Sequence, residues 1–396
     1  MRITVVTPVF PTSAERHRGI YIYNIARSLQ RHADVGVVCS LVSYPVLPLV
    51  RPPSMPNGRV DLHFAPDGVH VQYVKYPGLP VITRPFNSVS CRAAIKAQIK
   101  SLNPDLILAY WAQPEGLAAI AIGRELDVPV IVGALGSDIL LGRGIGKYLA
   151  KRAVTRADRV LTVSEGMRRA AIRLGASADR VVMIPNGCDS SVFYPRDHGA
   201  CRRKLSVHTH ARLVLFVGRL TPMKGLPELV AAFAHVRREF PDAELVCIGD
   251  GPIERFLTSP AQADYIRALG PKTSDEIADW LGACDLLCLP SHSEGCPNVV
   301  MEALNSGRPV IGTQVGGIPA MVDDESGILV PPCDVPKLAS AIREGLDRKW
   351  DENAIAARMR RSWDDVADET YSVCLEVLNE RRQVVPSNAG LVASDD

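Results

Sequence analysis

Two carboxylates eight residues apart, Glu294 and Glu302, stand in the segment LPSHSEGCPNVVMEALNSGRPVIGTQVGGIP, residues 289–319. Pro297 or Asn298 predicts the start of a helix there, and Ser306-Gly307 its end before Pro309. Eight helical residues rise roughly 12 Å, too far for the two acids to share a proton. The spacing suits hydroxyls at opposite ends of one molecule instead. Between the acids, the free N–H groups and positive end of the helix favour an anion such as a diphosphate. Hydroxyl, diphosphate and hydroxyl in a row describe a nucleotide sugar. The simpler reading is a loop acid and a solvated helix face. Against it, Glu302 lies among Val299, Val300, Met301, Ala303 and Leu304, where an unpartnered carboxylate is costly.

Two cations five residues apart, Arg219 and Lys224, follow the strand-like run Val214-Leu-Phe-Val and Gly218, and a helix is predicted from near Pro227. They therefore fall at the carboxyl end of a strand, where open α/β sheets bind ligands. A guanidinium can hold phosphate oxygens in bidentate fashion and an ammonium adds a compact charge, so the pair can take a diphosphate without metal. Gly249 and Gly251, in Ile248-Gly-Asp-Gly-Pro252, mark another tight turn after a strand, without the G-x-G-x-x-G spacing of a dinucleotide site.

The elements that must position these residues alternate between short apolar runs and helical segments. In the first half the runs are Ile3–Val6, Val35–Cys39, Leu106–Ala109, Val130–Val132, Arg159–Val163 and Val181–Ile184. In the second they are Leu213–Val217, Glu244–Ile248, Tyr265–Leu269, Leu286–Leu289, Pro309–Gly312 and Gly327–Val330. This is the pattern of an α/β protein with two doubly wound parallel sheets. The boundaries expected are 1–190 and 191–365 for two Rossmann-like domains, 366–385 for a C-terminal helix, which resembles helices that cross back onto the first domain in a known two-domain family, and 386–396 for a disordered tail. Residues 351–382 read as helix containing Trp363. Pro45, Pro48, Pro52, Pro53 and Pro56 break up Leu41–Asp67, a long excursion carrying Tyr44, Val46, Leu47, Leu49 and Val50 beside Arg51. It reads either as a lip for an acceptor or membrane, or as a plain loop folded onto its domain.

The segment with the two glutamates resembles the E-x7-E signature of retaining glycosyltransferases of family 4, which have the two-domain GT-B fold. The likeness extends along most of the chain. Val217-Gly-Arg219-Leu and Lys224-Gly225 resemble the V-G-R-L-x-x-x-K-G element, Gly249-Asp-Gly251-Pro252 the G-x-G-P turn, and Asn186, Gly187, Asp189 and Phe193 the element preceding the second domain. The resemblance implies two Rossmann-like domains facing a central cleft. It puts Glu294 and the Gly295, Cys296, Pro297 and Asn298 loop on the donor sugar and phosphates, Glu302 on the ribose hydroxyls, and Arg219 and Lys224 on the phosphates. Gly19 stands where relatives bring backbone to the donor phosphate. Pro104-Asp-Leu-Ile-Leu-Ala-Tyr-Trp-Ala-Gln-Pro-Glu-Gly116 and Gly133-Ala-Leu-Gly-Ser-Asp138 resemble acceptor-side segments, with Ala109, Tyr110 and Leu135 at or near positions that hold histidine in many members. Asp138 remains there as a hydrogen-bond acceptor for donor sugar or acceptor, or as a cap for the turn that follows it.

The implied activity is a hexosyltransferase that uses a nucleoside-diphosphate sugar and an acceptor glycan or polyprenyl-linked saccharide of cell-surface polysaccharide synthesis. Two other readings stay open: a sugar-nucleotide epimerase of the same architecture and a non-enzymatic sugar-binding module. No cofactor is expected. No Asp-x-Asp pair marks a divalent site beside the phosphate cations, so no metal is expected either.

Composition sets the remaining bounds. A chain of 396 residues, 47% apolar, has material for two cores. Neither a secretory signal nor a membrane span is read, and ten cysteines without a C-x-x-C pair suit buried thiols in a reducing cytoplasm. The net charge of +2 hides an asymmetry: residues 1–190 carry 23 Lys+Arg against 13 Asp+Glu, and the remainder 22 against 30. A basic first half, with Arg143, Lys147, Lys151, Arg152, Arg156 and Arg159 at helical spacing, suits either a solvated helix face or an anionic membrane on the inner, cytoplasmic side. No nucleic-acid partner is expected, because no aromatic-studded basic motif accompanies the charge.

Overall fold

A computed structural model describes residues 1–43, 60–78, 86–140, 144–253 and 264–384. The residues of the proline-rich excursion from Tyr44 to Arg51, Arg143 in the basic run, and the expected tail at 386–396 lie outside these.

The chain divides into two units. One comprises Met1–Thr162, Met167–Ile184 and the segment from Asp364; the other comprises Val163–Gly166 and Pro185–Trp363. The first unit holds a parallel sheet of β1 (Arg2–Thr7), β2 (Asp34–Ser43), β3 (His70–Pro77), β4 (Leu106–Tyr110), β5 (Val130–Ala134), β6 (Arg159–Thr162) and β7 (Val181–Met183). Their order is β3-β2-β1-β4-β5-β6-β7. The second unit's sheet is built from β8 (Arg212–Val217), β9 (Ala243–Ile248), β10 (Ile266–Ala268), β11 (Leu286–Leu289), β12 (Val310–Thr313) and β13 (Gly327–Val330), in the order β10-β9-β8-β11-β12-β13.

Both are doubly wound, and in each the strand order reverses beside its first strand, between β1 and β4 and between β8 and β11. Such a reversal opens a crevice outside the carboxyl ends of the two strands. Central strands covered on both faces need apolar residues throughout, and β4 and β11 are buried at every position. Register follows: Val5 pairs with Val37 on one side and Leu108 on the other.

The helix Leu226–Glu239 shows how sequence sets the layers over the second sheet. Leu226, Leu229, Val230, Phe233 and Val236 recur at helical spacing and are the face it buries. Pro227 falls in its first turn, where a missing N–H costs nothing, and Arg237 and Arg238 complement the dipole in its last. Phe233 is completely buried, a burial that contributes about 2–3 kcal/mol relative to exposure.

Two elements differ from the sequence reading. β3 was not expected: His-Val-Gln-Tyr-Val-Lys-Tyr carries an alternating pattern, but it begins just after the proline-rich excursion, and polar His70, Gln72 and Lys75 break its apolar run. β2 in turn runs on to Ser43, into what was read as loop. The single helix expected over 351–382 is two, Glu352–Arg358 and Trp363–Val384. The break forms because Arg361 and Ser362 turn to pair with Cys188, whose N–H donates to the Arg361 carbonyl at 2.8 Å. From Asp364 the last helix belongs to the first unit. Arg31 pairs with Asp364 and, at 2.7 Å, with Asp368; the His32 ring stacks on Tyr371, and Arg159 pairs with Glu380.

Candidate active site

The second unit brings the sequence-predicted residues to one place, the carboxyl edge of β8 and β11. After β8 the chain turns through Arg219 and a short turn, Pro222–Lys224, into the helix Leu226–Glu239. Gly225 makes this turn possible. Its φ is +70°, and a Cβ there would lie 2.0 Å from the Pro290 carbonyl oxygen at the end of β11. The turn therefore rests directly on the loop that carries Glu294.

The contact has a chemical result. Lys224 Nζ lies 2.5 Å from Glu294 Oε1, and the Ser291 hydroxyl donates to that same oxygen at 2.6 Å. The Glu294 side chain is only 8% exposed and that of Lys224 27%, so this is a largely shielded pair held by a third group. Ser291 is itself fixed, its carbonyl accepting from the Thr313 hydroxyl at 2.6 Å. On the far side Gly316, at φ +58°, allows the loop after β12 to pass against the Glu294 carbonyl, 2.1 Å from where a Cβ would sit. The carboxylate of Glu294 is thus held by Lys224 and Ser291, and its backbone by the loop after β12.

Gly295, Cys296, Pro297 and Asn298 form the approach to the helix Asn298–Asn305, with Pro297 at the cap. No side chain caps this helix and its first turn holds no acid, so its positive end is unquenched. Asn186 pins the loop: its amide donates to the Cys296 carbonyl at 3.2 Å and to Asn298 Oδ1 at 2.7 Å. Burial pushes the Cys296 thiol up. Glu302, one turn into the helix, is half-buried, and its carboxylate has no hydrogen-bond or ion-pair partner among the described residues. Desolvation pushes its carboxyl up to about 7.

Arg219 is exposed and pairs with no acid among the described residues. Gly249 and Gly251 lie beside it after β9, where a Cβ would come within 2.0 Å of the Gly218 carbonyl and 2.2 Å of the Leu220 carbonyl. Close packing of two loop backbones explains both glycines. The edge so formed offers a free guanidinium, a paired ammonium, unquenched helix amides and two carboxylates about one short helix apart. It can take an anion flanked by hydroxyls. Lys272 is in an ion pair with Glu276 at 3.2 Å.

In the first unit, Gly19 has φ +64° and opens the helix Ile20–Leu29, with a Cβ position 2.4 Å from the Val9 carbonyl. Asp138 is buried with both carboxylate oxygens engaged. One accepts from the Ala112 N–H at 3.0 Å, after β4, and the other from the Gly136 N–H at 2.9 Å, after β5. Burial raises its pKa and these amides lower it, with burial the larger effect. The carboxylate ties the loop after β4 to the loop after β5. The alternative role as a cap for the following turn does not hold, since the Ile139 and Leu140 N–H groups donate to the Gly136 carbonyl.

Sequence reasoning gave no role to Ser291, to the contact of Asn186 with the loop, or to Glu115. Glu115 is completely buried. Its Oε1 accepts from the Ser40 hydroxyl at 2.7 Å and burial pushes it up to about 7. The basic helix Gly144–Arg156 exposes Lys147, Lys151 and Arg156 together with Ile145 and Tyr148. Arg159 leaves that face for Glu380, and Arg152 is half-buried over the Tyr148 ring.

With this geometry established, comparisons with known proteins agree on its class. Residues 211–348 match the family model described as glycosyl transferases group 1, and residues 19–187 the one described as glycosyl transferase 4-like domain. TuaC of Bacillus subtilis (strain 168), a glycosyltransferase named for teichuronic acid biosynthesis, is 31% identical over 354 residues, 86% of this chain and 88% of its own. Among solved structures, sucrose-phosphate synthase from Thermosynechococcus elongatus is similar with a TM-score of 0.75 at 20% identity, over 96% of this chain and 100% of its own. Anabaena HepE in complex with UDP-glucose is similar with a TM-score of 0.72 at 18% identity, over 95% and 100%. Among the described residues no helix is long and apolar enough to cross a membrane.

Proposed function

Because this chain belongs to the group 1 and 4-like glycosyltransferases and has their GT-B fold, we propose that it is a retaining hexosyltransferase using a nucleoside-diphosphate sugar. The observation that carries this reading is the Lys224–Glu294 pair together with Arg219, which pairs with no acid among the described residues. A donor's diphosphate meets Arg219, Lys224 and the helix amides near Asn298, all positioned before the reaction, so charge developing on the leaving group is stabilised without reorganisation. Glu294 accepts hydroxyls of the transferred sugar, and ionised Glu302 accepts those of the ribose. The bond from the anomeric carbon to the phosphate oxygen breaks while the acceptor oxygen bonds to the same face. The acceptor's proton passes to the departing phosphate oxygen. Neither a nucleophilic side chain nor a metal enters this scheme.

The names of similar proteins narrow the substrate classes. A UDP-glucose complex of HepE favours a nucleoside-diphosphate hexose, and the teichuronic acid name of TuaC favours a cell-surface polysaccharide acceptor on a lipid carrier. The exposed basic face of the helix Gly144–Arg156, with Ile145 and Tyr148 at its edge, suits peripheral contact with anionic lipid at a cytoplasmic membrane surface.

The test is a donor screen with UDP, GDP and ADP sugars, scored for nucleoside-diphosphate release and glycoside together. Release matched by glycoside supports the proposal. Conversion of the donor to an epimer without glycoside would establish the epimerase instead, and tight retention of intact donor would establish a binding module.

A further inference from the structure

We propose that Glu228, His292 and Cys333 form a binding site for a borderline-soft divalent cation of the zinc type, behind the loop that carries Glu294. The three come from separate segments of the second unit: the first turn of the helix Leu226–Glu239, the loop after β11, and the turn after β13. Their ligand atoms all lie within 4.8 Å of one another. His292 Nε2 is already 3.0 Å from Glu228 Oε1, while Glu228 Oε2 is buried with no hydrogen-bond partner among the described residues. A cation would satisfy that orphaned oxygen.

The donor set is specific in kind. Thiolate, imidazole and carboxylate together suit zinc, which binds such groups at about 2.0–2.3 Å in a tetrahedron and accepts three protein ligands with one position left open. A thiolate disfavours magnesium and calcium, which take oxygen. Cys333 is also held in an unusual way. It has φ +61°, a left-handed conformation that favours glycine, at the turn closed by Asp334, which caps the next helix through the Lys337 N–H at 3.0 Å. The thiol is exposed, whereas the other cysteines are buried or half-buried. A cation can therefore reach it.

Occupancy has a defined structural consequence. The His292 N–H donates to the Met223 carbonyl at 2.9 Å, and His292 lies between Ser291 and Glu294 in the chain. A bound cation thus ties this loop to the helix that follows the Lys224 turn. The inference stands whatever donor the site takes, since none of the three ligands is assigned to donor or acceptor.

The test is titration of the purified full chain with Co2+, followed by thiolate-to-metal charge-transfer absorbance in the near ultraviolet, with Zn2+ as competitor. One equivalent of Co2+ is expected to develop the band and Zn2+ to abolish it. Cys333→Gly removes the thiol while supplying the residue that the left-handed backbone favours, so the variant stays folded by circular dichroism and the band is expected to vanish. No band at excess Co2+ overturns the proposal. So does a band of equal intensity in Cys333→Gly, which would place the thiolate elsewhere.

Discussion

Lys224 and Glu294, 70 residues apart in sequence, share a 2.5 Å ion pair at the edge between β8 and β11, with Ser291 bonded to the same carboxylate oxygen. Two groups with separate roles in the sequence reading, one for phosphate and one for sugar, therefore act as one unit before any donor arrives. Each holds the other in position.

Lys224→Ala and Glu294→Ala are each expected to lower kcat/KM by about 100- to 1000-fold, the scale on which removal of a preorganised charge-stabilising group acts. Because the two residues act as a unit, the double variant should be little worse than the worse single one. Steady-state kinetics on folded variants checks this. Rates like those of the unmodified chain in both singles, or fully multiplicative losses, would contradict it.

Glu302 titrates from about 7 in the folded chain against an ordinary value of 4.5. Its raised value favours the folded state fully below about 4.5, and that contribution is lost as pH rises through about 7. Glu302→Gln, always neutral, should therefore gain thermal stability over the unmodified chain as pH rises from 5 to 8, with the gap closing at the acid end. Glu115, also raised to about 7, is present in both proteins and cancels. A gap independent of pH would contradict the assignment. Donor affinity should run the opposite way, rising with pH through the same window because ribose hydroxyls need the carboxylate.

Asp138→Ala leaves the buried Ala112 amide and the half-buried Gly136 amide without their acceptor, a loss expected to cost about 2 kcal/mol. Urea unfolding should shift accordingly. Unchanged stability with lost transfer would show instead that Asp138 serves the chemistry directly.

Charge reversal at Lys147 and Lys151, both exposed on the helix Gly144–Arg156, should reduce flotation with anionic liposomes and leave soluble-acceptor transfer unchanged. Equal recovery of the unmodified chain with neutral and anionic lipid would argue against membrane contact.

Much of the donor edge was legible because its punctuation is local. Pro297, Gly307 and Pro309 mark the ends of the helix Asn298–Asn305, and Gly218, Gly225 and Pro227 mark the turn through Lys224. Twelve strands could be read from apolar runs, while β3 was hidden by the prolines before it. What stayed hidden depends on which strands become neighbours. Only the β8–β11 adjacency brings Lys224 to Glu294, and only loop packing brings the Ala112 amide to Asp138 or His292 to Glu228. The break before Trp363 was invisible for the same reason, since Cys188, the partner of Arg361 and Ser362, lies more than 170 residues earlier.

The most direct measurement is the anomeric configuration, by NMR, of the product formed from the nucleoside-diphosphate sugar that the donor screen identifies. The account predicts a glycoside formed in equal amount to the nucleoside diphosphate released, with the configuration of the donor kept. An inverted glycoside would contradict the retaining mechanism, and an epimerised donor with no glycoside would contradict transfer itself.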